Sequence, residues 1–261
     1  MCTAVNYKTR DHYFGRSLDY EYSYHETVTI TPRNYALHFR KMRTLTTHYA
    51  MIGTAFVVED YPLYYDAVNE KGLAMAGLNF PDNADYKPEA RGMDNVASFE
   101  FIPWVLGQCA NLTEVRRLLI RLNLVNIAFS KELPPSPLHW IISDSEGSLT
   151  VESVKEGLKV YENPVGVLTN NPPFDIQMFN LNNYMSLSTE PPVDNFCKGL
   201  HLEAYSRGMG ALGLPGDLSS ASRFVKAVFT KMNSVSGDSE SESISQFFHI
   251  LGSVAQQRGC V

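Results

Sequence analysis

The segment MCTAVNYKTRDHYFGRSLDY, residues 1–20, holds two apolar-rich runs, "TAVNY" (3–7) and "YFGRSL" (13–18), around polar "KTRDH" (8–12). Such runs flanking a polar turn read as an antiparallel hairpin. A turn centred near residues 9 and 10 sets Cys2 opposite residues 16–18. Removal of Met1 would leave a thiol and a free α-amine on one residue. An α-amine titrates at about 7.7–8.0, so at neutral pH part of it is an uncharged base. A nucleophile needs a base within reach, and here the base would come on the same carbon, as in N-terminal threonine enzymes. Arg16 becomes a cross-strand neighbour of the thiol, and a fixed cation there favours thiolate. Asp19, at the strand end, is placed to hold the amine through a charge-assisted hydrogen bond. Arg16 and Asp19 are an odd number of residues apart, so a bulge or strand end must separate them if both serve one site. The plain alternative is an early cysteine without a role and a surface ion pair; the hairpin alone does not decide.

Beyond this hairpin, strand-like runs follow at 26–31, 36–40 and 48–58, and "YYDAVNEKGLAMAGLNF" (64–80) places two apolar runs around the turn "NEKG". The period then becomes helical in "SFEFIPWVLGQCA" (98–110) and "LTEVRRLLIRLN" (112–123), where Leu112, Val115, Leu118, Leu119 and Leu122 share a face. Thr113 or Asn111 is suited to cap the second helix. Strands return at 138–144, 148–154 and 158–161 as a meander, with a further one in "PVGVLTN" (164–170). Helices are expected near 175–186, 219–232 and 243–255, with a glycine-rich loop at 207–216 and a polar loop at 234–243. This order predicts an α+β protein in which antiparallel sheets pack against helices, as a single domain over 1–261.

Composition narrows the classes. The 261 residues are 44% hydrophobic with a formal net charge of -6, which suits a globular core and disfavours nucleic acid as a partner. The densest basic run, "HFRKMR" (38–43), is short and mixed with apolar residues. Four cysteines (2, 109, 197 and 260) make no CxxC pair, which argues against zinc or a disulfide framework. Cys109 lies in a helical stretch and reads as a small buried hydrophobe. No secretory leader or membrane-length apolar run is present, so a cytoplasmic protein away from the membrane is expected.

Four separated motifs, "MCTA" with "GRSLD", "NEKGLAMAGLNFP", "VLTNNPPF" and "GLPGDLSSASRF", occur in order. With them the chain resembles the choloylglycine hydrolase family, the bile salt hydrolases and penicillin V acylases among N-terminal-nucleophile hydrolases. The resemblance implies a four-layer αββα sandwich and hydrolysis of a linear amide without metal or organic cofactor. It further implies that Cys2 is the nucleophile, its freed amine the base, Arg16 a thiol neighbour and Asp19 the amine's partner. Asn79 ("GLNF") and Asn170 ("LTNNP") would contribute to the oxyanion hole, where neutral amide donors meet developing charge. Asn170 is preferred to Asn171 because the family pattern holds asparagine directly after threonine. Arg223 ("ASRF") would join the charged network near Asp19.

Asparagine in "GLNF" resembles the bile salt hydrolases, whereas penicillin acylases tend to carry tyrosine there. Conjugated bile salts are therefore the implied substrates, with penicillin V or another N-acyl amide as the alternative. A rigid apolar steroid calls for a hydrophobic groove. Its candidate walls are Met51 or Ile52, Phe56, Val57 and Leu63, with Ile127, Ala128 and Phe129 from a later loop. Two other classes are a non-enzymatic binder of apolar acids and a Cys–His peptidase using His12, His139 or His249. The family also implies a homo-oligomer, a tetramer by resemblance. Similar members continue past "RGCV" into further strands, so unpaired sheet edges, exposed apolar surface and lower stability are expected of the 261-residue form.

Overall fold

A computed structural model describes residues 1–20 and 23–260. The opening hairpin is β1 (Cys2–Lys8) and β2 (His12–Leu18), with Cys2 opposite Leu18 and Ala4 opposite Arg16. There follow β3 (Thr27–Thr31), β4 (Met51–Val58), β5 (Tyr61–Asn69), β6 (Ala74–Asn79) and the short β7 (Asp94–Ala97). Helices α1 (Phe101–Gln108) and α2 (Leu112–Leu119) lead to β8 (Leu122–Val125). The meander is β9 (Leu138–Asp144), β10 (Gly147–Val154) and β11 (Gly157–Glu162), followed by β12 (Val167–Leu168). Helices α3 (Phe174–Asn180), α4 (Ser220–Asn233) and α5 (Glu240–Gly252) complete the described chain.

Two antiparallel sheets face each other. The order β12-β1-β2 makes one of three strands, and β11-β10-β9-β6-β5-β4-β3 makes one of seven. The outer face of the large sheet buries Met75, Trp140, Ile142 and Val151 against Trp104, Val105 and Val115 of α1 and α2. Its inner face contributes Ala76, Leu78 and Ile141 to a second core with Ala4 and Val5 of β1, Phe224 of α4 and Ile250 of α5. Helices, sheet, sheet, helices: the layers are those of an αββα sandwich.

Several side chains fix this arrangement. Buried Asn69 closes the β5–β6 turn: its Oδ1 accepts from the N–H groups of Lys71 and Leu73, and its Nδ2 donates to the carbonyls of Leu106 and Cys109. Gly53 is required where β4 meets β5, since a Cβ there would lie 2.0 Å from the Asp66 carbonyl oxygen. Asn111 caps α2 by accepting from Glu114 N–H at 3.0 Å, satisfying a donor the first helical turn would leave open.

Three expectations change. The strand expected at 36–40 is a single bridge, Leu37 to Leu45, because the Arg40 N–H is taken by buried Glu100. The strand expected over 164–170 shrinks to Val167–Leu168, since Asn163 binds the Gly166 N–H and the Val167 carbonyl. The helix expected over 112–123 ends at Leu119, after which β8 pairs in parallel with β7. These four-residue strands carry too little alternation to be read in advance.

The small sheet covers only part of the large one. On the inner face of β3–β5, Ile30, Ile52 and Val68 stand in register, with Ile30 68% exposed and Val28 76% exposed.

Candidate active site

The hairpin carries its reactive group to the seam between the sheets. Arg16 lies opposite Ala4, two pairs along from Cys2, so its side chain shares a face with the thiol and reaches it diagonally. Arg16 Nη2 donates to Cys2 Sγ at 2.6 Å. Its other arm crosses to the large sheet, where Nη1 donates to the carbonyls of Gly77 at 2.6 Å and Tyr65 at 3.4 Å. Tyr65 is the extra residue of a bulge, since Thr54 and Ala55 of β4 face Asp66 and Tyr64. Bulges re-aim local groups in this way. With the Ser17 carbonyl, which accepts from Nε at 3.2 Å, the guanidinium is held by four acceptors, the sulfur among them.

The nitrogen of Cys2 is held separately. Cys2 N–H donates to Asn170 Oδ1 at 2.9 Å, and Asn170 Nδ2 donates to the Asn79 carbonyl at 2.8 Å. Arg223, 2% exposed in α4, donates to the Cys2 carbonyl at 2.6 Å, to Thr3 Oγ1 at 2.7 Å and to Asn170 Oδ1 at 2.9 Å. Burial lowers the Arg223 pKa, with Cys2 and Asp19 opposing that shift. Asn170 Oδ1 therefore accepts from both the Cys2 nitrogen and Arg223, which orients the carboxamide.

Asp19 sits just past the end of β2. Its carboxylate accepts from Ser17 Oγ at 2.8 Å, and Ser17 Oγ in turn accepts from the Thr3 N–H at 3.2 Å. The Asp19 backbone is what engages Met1: its N–H donates to the Met1 carbonyl at 2.9 Å, and its carbonyl accepts from the Met1 amine. With Met1 in place, the partner of the Cys2 nitrogen is Asn170, not Asp19. Cys2 has no exposed surface. Accordingly, surface hollows of about 510, 630 and 540 Å³ lie beside α2, His48 and Lys231, and neither Cys2 nor Arg16 lines any of them.

Asn79, half-buried at the end of β6, meets this cluster through its carbonyl. Tyr20 and Tyr65 escaped the sequence reading; their rings lie 6.4 Å apart. Burial raises the Tyr20 pKa, with Cys2 adding to it, and pushes Tyr65 up to about 12. Asp66, on the inner face, has its pKa raised by burial and partly restored by Arg16. The signal for Tyr20 was its place one residue after Asp19; Tyr65 depends on a bulge that no local pattern announces.

The expected groove walls divide. Met51 is corrected: it is 2% exposed in the core beneath α1, because alternation along β4 turns it away from the inner face. Ile52, its neighbour, faces the opposite side and is 42% exposed. Val57 is exposed, while Phe56 and Leu63 are half-buried partners across β4 and β5. Ile127 is half-buried, and Phe129 packs edge-on to Phe99 and against Tyr61, with Arg40 over its ring. Two of the histidines named above have partners other than Cys2: His12 approaches Ser143 Oγ at 3.3 Å, and His139 approaches Glu152 at 2.9 Å. Among the described residues no cluster of three or more His, Cys, Asp or Glu could hold a metal, and no helix is long and apolar enough to cross a membrane.

Comparison with known proteins agrees with this architecture. Residues 2–261 match the family of linear amide C–N hydrolases described as the choloylglycine hydrolase family. The chain is 61% identical over 259 residues to "Bile salt hydrolase/transferase" of Lactiplantibacillus plantarum, covering 99% of this chain and 80% of that protein. Among solved structures, a cysteine-to-alanine mutant of conjugated bile acid hydrolase from Clostridium perfringens superposes with a TM-score of 0.91 at 40% identity, covering 100% of this chain and 81% of that one. Penicillin V acylase from Agrobacterium tumefaciens shares the fold at a TM-score of 0.77 and 19% identity, covering 100% of this chain and 74% of that one. The chain belongs to the choloylglycine hydrolase family of linear amide C–N hydrolases.

Proposed function

We propose that the processed protein hydrolyses glycine- or taurine-conjugated bile salts with Cys2 as nucleophile. One observation carries the reading: the Cys2 sulfur and nitrogen are held independently, by Arg16 Nη2 at 2.6 Å and Asn170 Oδ1 at 2.9 Å. Removal of Met1 frees that nitrogen as the base. Sulfur attacks the amide carbon while the α-amine takes the thiol proton. Asn79 and Asn170 supply neutral amide donors to the oxyanion. For Asn170 this requires Nδ2 to exchange its bond to the Asn79 carbonyl for one to substrate. Collapse of the tetrahedral species breaks the C–N bond, and the leaving amine takes the proton back from the α-ammonium. Water, deprotonated by the same amine, then cleaves the thioester and releases the bile acid.

Arg223 and Ser17 support this centre by ordering Asn170 and Asp19. Once the terminus is free, the Asp19 carboxylate is a candidate partner for the α-ammonium. Ile52, Phe56, Val57, Leu63, Ile127 and Phe129 remain the proposed walls for the steroid, joined by Tyr20 and Tyr65. The steroid assignment itself rests on the 61% identical relative. A homo-oligomeric enzyme in the cytoplasm completes the proposal; it is supported by family resemblance and tested by light scattering and cell fractionation.

The decisive assay offers glycocholate, taurocholate and penicillin V to one preparation, with its N-terminus sequenced in parallel. Free glycine or taurine from protein beginning at Cys2 is the expected result. Cleavage of penicillin V alone would move the substrate assignment to the acylase branch. Undiminished turnover by protein that keeps Met1 would overturn the mechanism.

A further inference from the structure

Behind Asn170 lies a buried polar pair that the reaction as written does not use. His139 in β9 and Glu152 in β10 both have no exposed surface. His139 Nδ1 lies 2.9 Å from Glu152 Oε1, and its Nε2 lies 2.8 Å from the Thr169 carbonyl. A carbonyl only accepts, so Nε2 carries a hydrogen and donates it. The imidazole cannot rotate freely, because Phe80 stacks on it at 4.2 Å with an interplanar angle of 5°. Glu152 Oε1 also accepts from Phe174 N–H at 3.0 Å, while Glu152 Oε2, buried, has no partner among the described residues. Burying such a pair, with one oxygen unsatisfied, is costly compared with an apolar filling. It therefore calls for a compensating use.

The neighbouring contacts point to that use. Thr169 C=O and Asn170 N–H belong to one peptide unit. His139 holds its oxygen, and Ser220 Oγ accepts from its N–H at 2.8 Å. The next carbonyl, that of Asn170, accepts from Gln177 Nε2 at 2.7 Å. The plane that launches the Asn170 side chain is thus gripped from opposite edges.

We propose that His139, braced by Glu152, is a positioning residue: with Ser220 it clamps the Thr169–Asn170 peptide so that Asn170 holds the Cys2 nitrogen and meets the oxyanion. The inference rests on the proposed function for its catalytic consequence, but the clamp can be read without substrate. A misplaced Asn170 would give up the bond to the Cys2 nitrogen, and an ammonium that loses an acceptor titrates lower.

The test compares processed wild type with His139→Leu, His139→Gln and Ser220→Ala. It measures glycocholate kinetics and the pH profile of Cys2 alkylation by iodoacetamide. Leu removes the donor, and Gln restores an N–H on a flexible stem. Ser220→Ala acts on the opposite edge of the peptide from a half-buried helix terminus, and it decides the matter should His139→Leu fail to fold. The expected outcome is a fall in kcat of about tenfold or more with KM within about twofold for His139→Leu and Ser220→Ala. Their alkylation profiles shift to higher pH, because an α-ammonium that deprotonates earlier no longer favours the neighbouring thiolate, and His139→Gln recovers part of both effects. Wild-type kcat and an unmoved alkylation profile in Ser220→Ala would overturn the clamp, as would a loss confined to melting temperature. If wild type turns over no conjugate, the substrate reading fails, while the alkylation profiles still judge the clamp.

Discussion

Cys2 and Cys109 are both buried, yet they stand in opposite surroundings. Cys2 meets a guanidinium 2.6 Å away and has its own nitrogen held by a carboxamide. Cys109 closes α1 among Leu106, Leu112 and their neighbours, where burial, aided by Glu114, pushes its thiol up to about 12. One sulfur has a fixed cation as its hydrogen-bond donor, and burial opposes ionisation of the other. Burial alone therefore says little about a thiol's chemistry; the charges and donors around it decide.

The sharpest way to break this comparison is to exchange the two thiols' importance. Cys2→Ala is expected to reduce hydrolysis by at least about 10³-fold, because it removes the sulfur that the proposed mechanism acylates. Cys109→Ala should leave kcat and KM within about twofold. An assay in which Cys109→Ala loses turnover and Cys2→Ala retains it would reverse the assignment. Next in size are the amide donors. Asn79→Ala and Asn170→Ala should each lower kcat by about 10²–10³-fold, equivalent to about 2.7–4 kcal/mol of transition-state stabilisation. Asn170→Ala should also shift the pH optimum, since Asn170 alone of the two touches the Cys2 nitrogen.

Much of this site was legible because it is local. Cys2 and Arg16 belong to one hairpin, so turn position and alternation were enough to make them neighbours. The grip of Asn170 on the Cys2 nitrogen was not legible. It depends on Arg223, Ser220 and Gln177, which converge from α3 and α4 only after folding. The choice between Met51 and Ile52 was not legible for a different reason. Alternation along β4 separates two faces but does not say which one a helix covers, and in a sandwich both faces are apolar. His139 and Glu152 had a readable signal that went unused. The register pairing Asp144 with Gly147 and Trp140 with Val151 continues to set His139 beside Glu152.

A smaller effect concerns packing. Cys109→Ala removes a buried sulfur, which should cost about 1–2 kcal/mol and lower Tm by a few degrees. Alkylation mapped by mass spectrometry gives the matching kinetic contrast. Exposed Cys197 and Cys260 should label readily and Cys2 once Met1 is gone, whereas Cys109 should label only on unfolding. Labelling of native Cys109 at the rate of Cys197 would show that its core opens far more easily than its packing implies.

The subtlest test is alkaline stability, where buried Cys109 and half-buried Lys231 pull in opposite directions. The Cys109 thiol sits at about 12 in the fold against an ordinary 9.0. Above pH 9 the unfolded chain therefore releases a proton that the folded one keeps, and stability falls as pH rises toward 12. Lys231 is lowered to about 8 from 10.5 by burial, its Nζ donating to the Val165 carbonyl at 2.6 Å. Between pH 8 and 10.5 the unfolded chain is the more protonated at this group, so stability rises with pH. Urea midpoints measured from pH 7.5 to 10.5 separate the two. Relative to wild type, Cys109→Ala should lose the downward contribution above pH 9, and Lys231→Met should lose the upward one that begins near pH 8. Parallel curves for all three proteins would mean that neither group keeps its burial under native conditions, and the contrast between a charge-supported and a desolvated thiol would then rest on Cys2 alone.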